Sequence, residues 1–147
     1  MDEYKNFTEE MLKDGSTLCY LKHRFLSKKT REQLDWLLAC LRDSVLIVPT
    51  LPVSGKPDFL ESDDGVRFLP VFSQEKQLPP DYMEEFDLRR MGIEECVGLA
   101  KEYPDCSGLV LDGFTEAMII EYDLTDAILR IPSRLHPKEE EKGDAEA

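Results

Sequence analysis

Leu34-Asp35-Trp36-Leu37-Leu38-Ala39-Cys40-Leu41-Arg42-Asp43-Ser44-Val45-Leu46-Ile47-Val48-Pro49 is the stretch that decides the class of fold. Leu34, Leu37, Leu38 and Leu41 recur at i, i+3, i+4 and i+7, the period of a helix with one buried face. Thr30-Arg31-Glu32-Gln33 ahead of them reads as a capping box, which predicts a helix over 31–42. Asp43-Ser44 ends it. Val45–Val48 is short, unbroken and rich in β-branched residues, the pattern of a strand buried on both faces, with Pro49 marking its end.

Downstream, Pro52, Gly55 and Pro57 make 50–58 a loop. Phe59-Leu60-Glu61 and Val66-Arg67-Phe68-Leu69 flank Ser62-Asp63-Asp64-Gly65, a hairpin signal with Asp-Gly in the turn. The second strand continues through Leu69-Pro70-Val71-Phe72-Ser73; Pro70 has no N–H for a ladder and belongs at an edge, bulge or strand end. Pro79-Pro80-Asp81-Tyr82 starts a helical turn through Phe86. Ile93, Cys96, Val97 and Ala100 predict a helix over 93–102, broken by Tyr103-Pro104-Asp105. Gly108–Asp112 and Met118–Tyr122 read as paired strands across Gly113-Phe114-Thr115-Glu116. A last helix, 124–130, follows Asp123, and Pro132 and Pro137 close the fold.

Upstream, a short helix is expected over 7–13, capped by Asn6, and a second from Ser16 to Leu26 with Leu18, Leu21 and Phe25 on one face. Trp36 lies off the main leucine stripe. It either packs beneath the N-terminal helices or belongs to a partner surface. The expected architecture is α+β: a central mixed sheet of about five strands, with the N-terminal and later helices packed on it. It divides into an N-terminal helical extension, 1–29, an α+β domain, 30–136, and a disordered acidic tail, 137–147. The tail has no large apolar side chain with which to offset the entropy of ordering.

The 147 residues carry a net charge of −13, unevenly spread. Residues 57–136 hold 7 basic and 18 acidic groups, whereas 1–56 are nearly neutral. Lys22, Arg24, Lys28, Lys29 and Arg31 cluster with no acidic residue between them. This excludes a general nucleic-acid binder and a protein that adheres to anionic membranes, since both need phosphates to be neutralised. The basic corner needs compensation from the chain's own acidic body, in one molecule or in a weak homo-oligomer, or from an acidic partner. No stretch approaches the length of a membrane helix, and the start of the chain lacks the features of a secretion signal, so a cytoplasmic location is expected. The four cysteines form no C-x-x-C pair and read as free thiols, with Cys40 and Cys96 on apolar helix faces.

Leu41-Arg42-Asp43-Ser44 running into Val45–Pro49, then a hairpin leading to Phe68-Leu69-Pro70-Val71-Phe72-Ser73, then a helix leading to Gly108-Leu109-Val110-Leu111-Asp112, resembles the N-terminal domain of the SseB family. The order and spacing of these segments carry the resemblance, over about residues 30–131. Where members often have Asn-Pro after the last strand, this chain has Asp112-Gly113, which adds a negative charge. The second domain of longer members has no counterpart here. The resemblance implies a bacterial cytosolic α+β domain without established catalysis, and it supplies no active-site residues.

The residues themselves give little chemistry to catalysis. Of the two histidines, His23 sits among cations and His136 near the tail. No P-loop, G-x-G-x-x-G or H-E-x-x-H is present. Asp58, Glu61, Asp63 and Asp64, and Glu84, Glu85 and Asp87, read as solvated charge rather than oxygen ligands for a hard cation. Glu94, Glu95 and Asp123 suit the positive ends of helices. No cofactor and no metal ion are expected. Phe72-Ser73 and Asp112-Gly113 each end an inner strand. If those strands are parallel neighbours, both turns share one sheet edge, the place of ligand clefts in α/β sheets. The leading expectation is a non-catalytic protein-interaction or accessory module with an unidentified protein partner; Lys22, Arg24, Lys28, Lys29 and Arg31 are its candidate interaction residues, with compensation by the chain's own acidic body preferred to an acidic partner. The alternative is a small-molecule-binding or hydrolytic domain using Phe72, Ser73, Asp112 and Gly113.

Overall fold

The Thr30 hydroxyl accepts a hydrogen bond from the Gln33 amide at 3.2 Å, satisfying one orphan donor of the first helical turn. Helix Ser16–Ser27 (α1) precedes this cap and helix Arg31–Asp43 (α2) follows it. In this computed structural model, residues 15–131 are described. The chain continues as strands Val45–Thr50 (β1), Leu60–Glu61 (β2) and Arg67–Val71 (β3), then a single 3-10 turn, Glu75–Gln77. Helix Pro80–Glu85 (α3), strand Asp87–Gly92 (β4) and helix Ile93–Lys101 (α4) follow. Strands Cys106–Leu111 (β5) and Met118–Glu121 (β6) and helix Tyr122–Leu129 (α5) complete it. The helix expected over 7–13, the tail 137–147 and His136 lie outside the described residues.

The class is α+β, as expected, but the strands do not form a single five-stranded sheet. They form a four-stranded sheet in the order β2-β3-β5-β6 and a two-stranded pair, β1-β4. Only β3 and β5 are parallel. Ile47 and Phe72 exchange both backbone hydrogen bonds at 2.9 Å and stitch the two sheets together. Pro70 accounts for the interruption. Residues two apart on a strand offer their backbone groups to the same side. On that side Phe68 is taken by β2 and Phe72 by β1. Pro70 falls between them, where it has no N–H to offer.

Strand β4 was not expected. Asp87-Leu88-Arg89-Arg90-Met91-Gly92 is charged and mostly exposed, an edge strand with no period-two signal. It pairs with β1 along its whole length, from Val45↔Gly92 to Thr50↔Asp87. That pairing carries β1 past Pro49, the stop expected from sequence, to Thr50.

The main core lies between the helices and one sheet face. Leu37, Cys40 and Leu41 of α2 meet Leu46 and Val48 of β1, Leu69 and Val71 of β3, and Leu109 and Leu111 of β5. On the opposite face Ile47, Phe72 and Leu78 pack under Tyr82, Met83 and Leu88. Strand β1 is therefore covered on both sides, as its unbroken apolar run implied. Trp36 is 3% exposed and belongs to the main core, not to a partner surface. All four cysteines are free thiols. Burial pushes the thiols of Cys40 and Cys96 up to about 12. Among the described residues no helix is long and apolar enough to cross a membrane.

Candidate functional site

Because β3 and β5 run parallel with Val71 opposite Leu111, the residues that follow them arrive side by side. The Asp112 amide donates to the Val71 carbonyl at 2.9 Å and extends the ladder by one step. Asp112 then turns away at φ +53°, the only positive φ at a non-glycine residue among the described residues. The turn closes when the Thr115 amide donates to the Asp112 carbonyl at 3.0 Å. This rotation aims the Asp112 carboxylate across the end of β3. Its Oδ1 accepts from the Ser73 amide and its Oδ2 from the Ser73 hydroxyl, each at 2.8 Å.

The sequence put Ser73 and Asp112 on one edge only if their strands were parallel neighbours; they are, and the two residues are in direct contact. A residue assigned from sequence to the basic corner meets them there. Lys22 extends from α1, and its Nζ donates to Asp112 Oδ2 at 2.8 Å and to the Glu116 carbonyl at 2.6 Å. Lys22 and Asp112 are both wholly buried and Ser73 nearly so. Lys22 is thus corrected from surface cation to buried anchor. The missed signal was periodic: Lys22 stands four residues after Leu18, on the face α1 buries. Counting charges along the chain concealed it.

Such a pair is fastened from several directions. Two charges out of water need close geometry and further hydrogen bonds to offset desolvation. Here Ser73 holds both carboxylate oxygens and the Glu116 carbonyl shares the ammonium. At the rim, His23 Nδ1 lies 2.9 Å from Glu116 Oε2. Gln77 donates to Cys19 Sγ at 3.7 Å, and the Thr115 hydroxyl donates to Gln77 Oε1. The backbone of Gly15, at φ +77°, lies directly against the Ser73 carbonyl. Phe72 is fully buried and stacks on half-exposed Phe114, with ring centroids 5.8 Å apart. Gly113 sits between the side chains of Leu60 and Val110.

The other four members of the basic corner stay near the surface. Arg24 donates to the Tyr20 hydroxyl at 3.2 Å and lies over its ring. Arg31 pairs with Asp35 at 3.0 Å, one helical turn along. Lys28 and Lys29 are exposed, and their ammonium groups have no partner among the described residues. The acidic side chains are dispersed. The Tyr82 hydroxyl donates to Asp58 at 2.6 Å, and burial first, then Asp58, pushes Tyr82 above the usual phenol range. Glu94 and Glu95 occupy the first turn of α4, and Asp123 that of α5. Among the described residues no three His, Cys, Asp or Glu side chains gather in a way that would hold a metal ion. At the opposite end of β5, a hollow of about 70 Å3 is lined by Phe59, Arg67, Tyr103, Pro104, Asp105 and Cys106.

No family model matches the chain, and neither does any curated protein or solved structure.

Proposed function

We propose that this chain is a non-catalytic, SseB-like interaction module of the bacterial cytosol, docking an acidic protein partner on the turn between α1 and α2. The observation that carries this reading is the exposed cation pair Lys28-Lys29, with Arg24 and Arg31 beside it, on a chain of net charge −13. Such a patch steers an acidic surface toward itself, with an attraction that weakens as salt rises. The resemblance of its segment order to that of the SseB family supports it. So does the internal use of Ser73 and Asp112, whose polar atoms are bonded to one another and to Lys22.

The test compares the wild-type full chain with the Lys28→Ser, Lys29→Ser, Arg31→Ser variant. Each serves as bait in a bacterial lysate at low salt, with captured proteins identified by mass spectrometry. The expected result is a defined acidic protein retained by the wild type and lost by the variant, at an unchanged melting temperature. Equal retention by both baits refutes the docking site. A variant that loses stability instead assigns the cations to the fold.

A further inference from the structure

The point occupied by Lys22 Nζ is defined by atoms that do not belong to α1. Asp112 Oδ2 and the Glu116 carbonyl converge on it from the connection between β5 and β6, at 2.8 and 2.6 Å. Ser73, at the end of β3, holds the carboxylate in place with its amide and hydroxyl. Only the cation is contributed from outside. We propose that the carboxyl ends of β3 and β5 form a binding site for a primary alkylammonium group, filled within the chain by Lys22 and open to the same group on another molecule when α1 is away. That group is a lysine on the α1 of a second copy or a small free alkylamine.

Three features favour a receptor over a simple fastening. First, Asp112 holds φ +53°, a left-handed conformation that Asp and Asn tolerate best among residues with a side chain. The turn thus admits an acidic side chain at the place where it serves as acceptor. Second, α1 already has Leu18 and Leu21 to bury. A buried ion pair is a weak means of adhesion compared with apolar contact, but it selects one chemical group at one location. Third, α1 has few means of standing alone. Its N-cap is Gly15, with no side-chain cap, and no acidic residue lies in its first turn. An isolated helix of 12 residues is marginal in water, so α1 is held by its docking contacts and leaves the site only when those contacts open.

The experiment uses the full chain with Lys22→Ala, which removes three methylenes and the ammonium, the outline of propylammonium. Melting temperature is followed against propylammonium chloride, with tetramethylammonium chloride and sodium chloride at equal ionic strength. The site predicts a saturable rise with propylammonium alone, of about 5–10 °C at ~100-fold excess over Kd. It predicts no rise in the Lys22→Ala, Asp112→Asn double variant. Where Lys22→Ala is unfolded in salt alone, recovery of native circular dichroism with propylammonium gives the same answer. A second arm mixes Lys22→Ala, with its receptor empty, and Asp112→Asn, with its lysine unused. A heterodimer on size exclusion with light scattering identifies the lysine of a second copy as the source. A response to propylammonium without a heterodimer identifies the small amine. No response in either arm overturns the proposal, since the pair is then a fixed internal contact.

Discussion

A Cβ added at Gly15 falls 1.8 Å from the Ser73 carbonyl oxygen, and the residue stands at φ +77°. Steric and conformational costs therefore coincide at one position, which two substitutions separate. Asn tolerates the left-handed region and Ala does not, but both carry a Cβ. Gly15→Ala and Gly15→Asn are both expected to lower the melting temperature by several degrees, with little relief from Asn, because the clash is with backbone. A mild Gly15→Asn variant beside a severe Gly15→Ala would place the cost in φ alone. At the same scale, the raised pKa of Cys40 and Cys96 has a definite sign. In the fold both thiols keep their protons to about pH 12, while in the unfolded chain they lose them near 9.0. Above pH 9 the unfolded state binds fewer protons, so stability is complete below that pH and declines toward 12. The decline approaches about 1.4 kcal/mol per pH unit for each thiol. Urea midpoints between about pH 8 and 11 should fall for the wild type and more gently for Cys40→Ala; equal slopes contradict the assignment.

Elements were legible where burial imposed a period. The leucine stripe gave α2 and the unbroken run gave β1, because covering one face or two leaves different marks on a sequence. Strand β4 left none, since its pairing uses backbone groups and its side chains mostly face water. The interruption between the sheets was half visible: Pro70 announced a gap, but not that β1 and β2 would share the edge beside it. The candidate site was legible as a place only on the condition that its two strands ran side by side in parallel, and illegible as chemistry. Its cation comes from a helix 90 residues away in sequence. A prediction belongs to α2. Leu37 is wholly buried and Leu34 only partly. Leu37→Ala should cost about 2–5 kcal/mol and Leu34→Ala distinctly less. Denaturant titration of the two variants checks this, and equal losses would mean that the helix is rotated from the face described.

At the scale of the whole molecule, charge is used in two ways that salt separates. Ions weaken attractions at exposed surfaces beyond roughly 10 Å at 0.1 M, and reach a buried pair far less. Raising sodium chloride from about 0.05 to 0.5 M should release whatever is docked on Lys28 and Lys29 while the melting temperature stays nearly constant. Calorimetry and bait retention on the same samples check both halves. A melting temperature that falls steeply with salt would mean that the surface charges, not the buried pair, hold the fold. The separation of 90 residues between Lys22 and Asp112 also bears on the order in which the protein is made. A ribosome delivers α1 well before its receptor. At ~5–20 residues per second, that leaves the helix waiting for roughly 5–20 s. Until Asp112 emerges, Lys22 lacks its counter-ion. A message broken before codon 112 therefore yields a chain in which Lys22 has no carboxylate to meet, open to chaperones and proteases that sort unfinished products.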